Sequence, residues 1–190
     1  MLSFTLDTNC LIDVEVNRPS ACDVMRLVDA HTAGTADVAL VAVSASERQP
    51  GDAYLENYDE FEARLKGLRL SHLRILLPIL YWDIGFWDRR LWADAPMKRR
   101  EQEIHAVLFP TIEFLWSDFA RGAGIKTLGI KTREARRWRN AFCDRQMYWA
   151  HDHKDRSIFV TSDENFRQLS KARNFPKARI MSPAEAAAVL

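Results

Sequence analysis

Apolar runs divide this chain into short segments of strand length and longer stretches with helical period. Leu2, Phe4 and Leu6 read as a buried strand that ends on Asp7. Thr8 or Asn9 stands where it can cap the helix that follows, expected from Cys10 to Val16. Pro19 suits the opening residue of a second helix running to about His31, with Val24, Leu27 and Val28 at helical spacing. After the turn at Gly34, Val38-Ala39-Leu40-Val41-Ala42-Val43 is a continuous aliphatic run. Such a run predicts a strand buried on both faces, as in a parallel sheet covered by helices. Strand, helices, strand is the opening of an α/β fold.

The pattern continues downstream. Leu55, Tyr58, Phe61 and Leu65 form the apolar stripe of an amphipathic helix over 53–66, closed by Gly67. Arg74 to Leu77 predicts a third strand ended by Pro78. Tyr81, Trp82, Phe86, Trp87 and Trp92 then crowd together, and read as a satellite core under a helical insertion rather than as a nucleobase grip. Helices are expected over 97–109 and 112–120, with His105 packed or on the surface without a partner. Ser157 to Val160 is a strand leading into Thr161-Ser162-Asp163, which repeats the design of the opening stretch. Ala178 to Met181 is a last strand, and Ser182-Pro183-Ala184-Glu185 opens a terminal helix with a cap, a proline and an early acid.

Composition narrows the function classes. With 190 residues and 47% hydrophobic content, the expectation is a single domain over 1–190. Cys10, Cys22 and Cys143 are an odd set without CxxC spacing, which fits reduced thiols in a cytoplasmic protein better than disulfides or zinc. The N-terminus lacks a signal-peptide pattern, and the longest apolar run, Ile75 to Trp82, is broken by Pro78 and far short of the ~20 residues a bilayer needs, so no membrane partner is expected. Net charge is only +1. The charge balance breaks locally between 126 and 145, where Lys126, Lys131, Arg133, Arg136, Arg137, Arg139 and Arg145 face only Glu134 and Asp144. A run like this is ordinarily a solvated helix face. Arg136, Asn140 and Asp144 recur at i, i+4 and i+8, so they share one side of that helix.

Four acids share a plausible location. Asp7 and Asp163 end strands, Glu47 follows the second strand, and Asp144 lies on the helix before Ser157. Ser44-Ala45-Ser46-Glu47 reads equally as a capping box. Asp13, Asp52, Asp152 and Asp155 compete with Glu47 and rank below it. Oxygen ligands alone select a hard cation, so Mg²⁺ or Mn²⁺ is expected.

Leu6-Asp7-Thr8-Asn9, the acid after the second strand, Asp144 nineteen residues before Asp163, and Phe159-Val160-Thr161-Ser162-Asp163-Glu164-Asn165-Phe166 together resemble the PIN domain family. Ile180-Met181-Ser182-Pro183-Ala184-Glu185 is similar to that family's last strand and helix. The resemblance covers 1–77 and 132–190; the segment of about 78–131 is an insertion relative to small toxins of the VapC type. It implies a three-layer α/β/α fold with a central parallel sheet. It also implies a metal-dependent endoribonuclease that leaves 5′-phosphate ends, most commonly the toxin of a type II toxin–antitoxin pair and often a homodimer. On that pattern Asp7, Asp144 and Asp163 hold the metal directly and Glu47 ligates it or orients its water, while Asn9 and Thr161 or Ser162 tie the acids in place. Arg136, Arg137 and Asn140 are then the candidates for contacting RNA. Two other readings stand beside this one: a PIN-like RNA- or protein-binding module without cleavage, and a phosphotransferase with an aspartate nucleophile. The last is disfavoured because Asn9 occupies the position where such enzymes place a second acid.

Overall fold

The structure is a computed structural model and describes residues 1–46, 58–81, 91–125, 130 and 132–190. Its centre is a sheet of five parallel strands, β1 (Leu2–Leu6), β2 (Ala36–Val41), β3 (Arg74–Leu76), β4 (Ile158–Val160) and β5 (Ile180–Met181). They lie in the order β3-β2-β1-β4-β5. Thr5 pairs with Ala39 on one side and Phe159 on the other, so β1 is the middle strand. Parallel neighbours require crossovers, and the helices supply them.

Helices cover both faces of the sheet. On one face Phe4, Leu6, Val38, Leu40, Ile158 and Val160 are buried with residues of α1 (Thr8–Glu15), α2 (Ala21–Thr32), α3 (Tyr58–Gly67) and α8 (Pro183–Ala187). On the other, Ala39, Val41 and Phe159 are buried with residues of α4 (Ala95–Leu108), α6 (Arg136–His153) and α7 (Arg167–Lys171). The result is the three-layer α/β/α arrangement around a parallel sheet that the hydrophobic pattern and the PIN resemblance imply. Ser182 and Glu185 form a complete capping box at α8, with a 2.7 Å bond from the Ser182 N–H to the Glu185 carboxylate. Among the described residues no helix is long and apolar enough to cross a membrane.

Several sequence expectations are corrected. The run over Val38–Val43 is strand only as far as Val41; Ala42–Ser46 is a 3₁₀ turn, buried throughout. A buried turn and a buried strand have the same apolar composition, so the run alone could not separate them. The helix expected over 112–120 is α5 (Trp116–Gly122), preceded by irregular chain. The described part of the insertion is not a satellite. Ile79, Ile104, Leu108 and Ile130 join the same buried cluster as α6 and the sheet, and Tyr81 meets Phe142 edge to face. Trp92, by contrast, is 76% exposed. Trp82, Phe86 and Trp87 lie outside the described residues.

The basic stretch is divided by burial. Arg136 and Arg137 are exposed, but Arg139 and Arg145 are buried within the fold. Arg145 donates from Nε to Glu101 at 2.8 Å, and Glu101 also accepts from Gln146 at 2.6 Å and from the Tyr81 hydroxyl at 2.5 Å. Gln146 in turn accepts the Ile79 N–H at 2.9 Å. His105 is not partnerless: its Nε2 meets the Ile112 carbonyl at 2.6 Å and its Nδ1 meets Arg145 Nη1 at 3.2 Å. Because the guanidinium can only donate, Nδ1 is the accepting nitrogen and Nε2 carries the hydrogen. Burial, then the adjacent Arg145 charge, holds the His105 pKa below its ordinary value, in keeping with that neutral form. This network pins the insertion to the helix that carries Asp144.

Candidate active site

β1 sits where the strand order reverses, with β2 on one side and β4 on the other. In open α/β sheets the crevice at the carboxyl ends of such strands is where ligands bind. Both strand-end aspartates lie there. Asp7 extends the ladder, its N–H donating to the Val160 carbonyl at 2.9 Å, and it then turns the chain into α1. Asp7 itself is the cap of α1, a role the sequence assigned to Thr8 or Asn9: its Oδ1 accepts the Thr8 N–H at 2.7 Å.

Three further contacts define the Asp7 environment. The Thr161 hydroxyl donates to Oδ2 at 2.6 Å, and the Asn9 amide donates to the same oxygen at 3.2 Å. Thr161 also accepts the Asp163 N–H at 2.9 Å, so one hydroxyl joins the two strand ends. Asp163 is half-buried and caps the 3₁₀ turn Glu164–Phe166, its Oδ1 accepting the Asn165 N–H at 2.8 Å. Asn165 reaches on to the Leu108 carbonyl of α4 at 3.3 Å. Asn9 and Thr161 therefore both donate to Asp7, whereas Ser162 is exposed.

Asp7 is 3% exposed and has no cation partner among the described residues. Burial pushes its pKa up to about 6, and the nearby Asp163 charge adds to the rise, against the hydrogen bonds from Thr161, Thr8 and Asn9 that favour the ionised form. Three donors to one carboxylate ordinarily hold its pKa low. Here desolvation wins. The fold thus places an acid in an environment that disfavours its charge, the condition a bound cation would relieve. With oxygen donors only, the pair suits a hard divalent ion.

Next to this pair the Thr8 hydroxyl donates to Ser44 Oγ at 2.8 Å, and Ser44 Oγ lies 4.0 Å from Met147 Sδ on α6. Asp144 is half-buried on α6, three residues before Met147, which puts its helix against this edge of the sheet. Arg139 donates from Nε to the Ser46 carbonyl at 3.2 Å, fixing α6 to the 3₁₀ turn that leads toward Glu47. Glu47 itself lies outside the described residues. Among the described residues no group of three or more His, Cys, Asp or Glu side chains is gathered as a metal site. Arg136, Arg137 and Asn140 are exposed near the start of α6, with Arg137 3.4 Å from the Thr111 hydroxyl. The sequence reading missed Ser44 and Met147 as links between the strand edge and α6. Two serines after an aliphatic run are the only sequence signal for this link, and they fit a capping box equally well.

No protein-family model matches the chain. No curated protein matches it. Among solved structures it is similar to VapBC2 from Rickettsia felis, crystallised bound to a DNA fragment from their promoter. The two share 13% identity over 95% of this chain and 98% of that one, with a TM-score of 0.46.

Proposed function

We propose that the protein is a metal-dependent endoribonuclease of PIN type that hydrolyses RNA phosphodiester bonds. The observation that carries this reading is Asp7: a buried carboxylate at the switch point of the sheet, raised to about 6, facing a second acid and joined to it through Thr161. Asp7 and Asp163 would hold Mg²⁺ or Mn²⁺, together with Asp144 and Glu47 from the flanking elements. When bound, the ion supplies positive charge that makes water a better nucleophile and stabilises charge gathering on the phosphate oxygens. The chain's own part is orientation. Thr161 and Asn9 hold one Asp7 oxygen, the Thr8 N–H holds the other, and the Asn165 N–H fixes Asp163. Arg136, Arg137 and Asn140 offer exposed donors to the RNA backbone on the helix that carries Asp144. The role we assign is the toxin of a toxin–antitoxin pair, with an antitoxin protein as partner and the chain acting as a homodimer in the cytoplasm.

The test combines metal binding with cleavage. Titration of Mn²⁺ into the protein by calorimetry should give saturable binding, and Mg²⁺ or Mn²⁺ should support cutting of RNA. Both should disappear in Asp7→Asn, and cutting should disappear in Asp144→Asn. Activity that survives both substitutions would overturn the site. Sequencing RNA ends after controlled expression, with Asp7→Asn as control, would identify the target, and a short open reading frame immediately upstream would favour the antitoxin.

A second reading is a PIN-like binding module without cleavage. It is favoured by one observation, that the described residues gather no three-residue metal cluster. Absence of Mn²⁺ binding above background would select it.

A further inference from the structure

The opposite edge of the sheet carries a feature the nuclease reading does not use. At the amino ends of β1, β2 and β3, a cavity of about 420 Å³ is lined by Ser3, Asp37, Arg74, Lys154, Arg156 and the aliphatic side chains of Ile75, Leu76, Leu77 and Leu91. Its size falls within the ~300–1,000 Å³ of small-ligand sites. Ser3 lies four residues before Asp7 on the same strand, which separates the two edges by roughly 13 Å at about 3.3 Å per residue.

The charges of the cavity do not balance. Arg156 is buried and built into the fold: Nε donates to Thr5 Oγ1 at 3.0 Å, Nη1 to Asp37 Oδ2 at 2.8 Å, and Nη2 to the Phe4 and Asp37 carbonyls at 2.8 and 2.6 Å. Four of the five N–H donors of a guanidinium are thereby used, which leaves one Nη1 hydrogen on a rigidly held, cavity-lining group. Asp37 neutralises Arg156. Arg74 and Lys154 remain, both exposed and neither in an ion pair among the described residues. Burial, together with the like charge of Arg74, holds the Arg156 pKa below its ordinary value against the opposing pull of Asp37. Among the described residues that line it, the cavity therefore has a surplus of two positive charges over an aliphatic wall.

Trp92 directly follows the cavity-lining Leu91 in the chain. Leu91 is fixed in that wall, donating its N–H to the Pro78 carbonyl at 2.9 Å and accepting the Leu80 N–H at 2.8 Å. The next residue, Trp92, is 76% exposed, the most exposed aromatic side chain among the described residues. A large apolar ring left in water, one residue along the chain from the wall of a basic cavity, suits stacking on a base whose phosphate is held by cations.

We infer that this amino-edge cavity binds a nucleotide, its phosphate held by Arg74, Lys154 and Arg156 and its base against Trp92 and the Leu91 wall. The nucleotide can be free or one unit of a single strand, and the two sources present the same chemistry to the site. The inference does not depend on the nuclease reading, because none of these residues belongs to the carboxyl-edge site.

The test is titration of the full chain with AMP, with inorganic phosphate and with a short single-stranded oligodeoxynucleotide, comparing wild type, the Arg74→Ala/Lys154→Ala double variant and Trp92→Ala. Saturable AMP binding should weaken at least about tenfold in the double variant. In Trp92→Ala it should weaken about five- to tenfold while phosphate binding is unchanged, since base stacking is worth ~1–3 kcal/mol. Oligonucleotide binding tighter than AMP, and weakened by the same variants, would assign the site to a strand. AMP binding without such an oligonucleotide response would assign it to a free nucleotide. Absence of AMP binding, or AMP binding equal in all three proteins, overturns the proposal. All three substitutions change exposed side chains, and Mn²⁺ binding at the carboxyl edge should be unchanged in each. Loss of the nucleotide site is therefore distinguishable from failure of the nuclease reading.

Discussion

Glu101 and Asp7 are both carboxylates removed from water, and the fold treats them in opposite ways. Glu101 is fully buried and has a full complement of partners: the Arg145 guanidinium, the Gln146 amide and the Tyr81 hydroxyl. Asp7 is almost as buried, yet it receives only neutral donors and faces another acid. The first is a structural ion pair, closed by the protein's own residues. The second is an acid held in place but electrostatically incomplete, and such incompleteness clusters at functional sites. Had the chain needed Asp7 only as a helix cap, an asparagine would have served without the cost of a buried charge.

Breaking this contrast gives opposite signs of stability change. The largest effect is expected at the closed pair. Arg145→Leu leaves Glu101 buried without its cation and should cost about 3–5 kcal/mol in chemical denaturation. At Asp7 the sign reverses. Its folded pKa of about 6 lies above the ordinary carboxyl value of 3.8, so the folded state keeps the proton where the unfolded state has released it. Stability from this group is complete below about pH 4, falls as the pH rises toward 6, and is level above that. The shift corresponds to at most ~3 kcal/mol at pH 7. Asp7→Asn should therefore stabilise the metal-free protein at neutral pH by up to that amount, and the gap from wild type should close on acidification to pH 4. A gap independent of pH would refute the assignment of a raised pKa to Asp7.

Two smaller changes sharpen the picture. Thr161→Val removes a hydrogen bond that favours ionised Asp7 and the acceptor for the Asp163 N–H, so the Asp7 titration followed by NMR should move to higher pH, with about 1–2 kcal/mol lost. Asp163→Ala removes the cap on Glu164–Phe166 and should cost about 1 kcal/mol. If the nuclease reading holds, Mn²⁺ at a hundred times its Kd raises wild-type stability by ~2.7 kcal/mol and leaves Asp7→Asn unmoved.

The sequence made local features legible. Strands ending on Asp7 and Asp163, and the Ser182–Glu185 cap, each need only neighbours within a few residues, so pattern and spacing suffice. Long-range pairings were not legible. Arg139 and Arg145 sit in a run that reads as a solvated face, and only the arrival of Ser46 and of Glu101 from elsewhere in the chain makes burying them affordable. His105 gains both partners in the same way. The Asp7 carboxylate could be placed at a strand end from sequence, but its depth and its bond to Thr161 depend on β4 packing beside β1.

That pairing has a consequence for when the site exists. Asp7 and Thr161 are separated by 154 residues, and the strand between β1 and β5 is β4. During synthesis β1 and β2 can pair long before β4 is made, but Asp7 then lacks the Thr161 hydroxyl and the company of Asp163. Contacts of such large sequence separation form late and slowly. The arrangement ties the carboxyl-edge site to completion of nearly the whole chain, so a partly made molecule carries the first acid without the site.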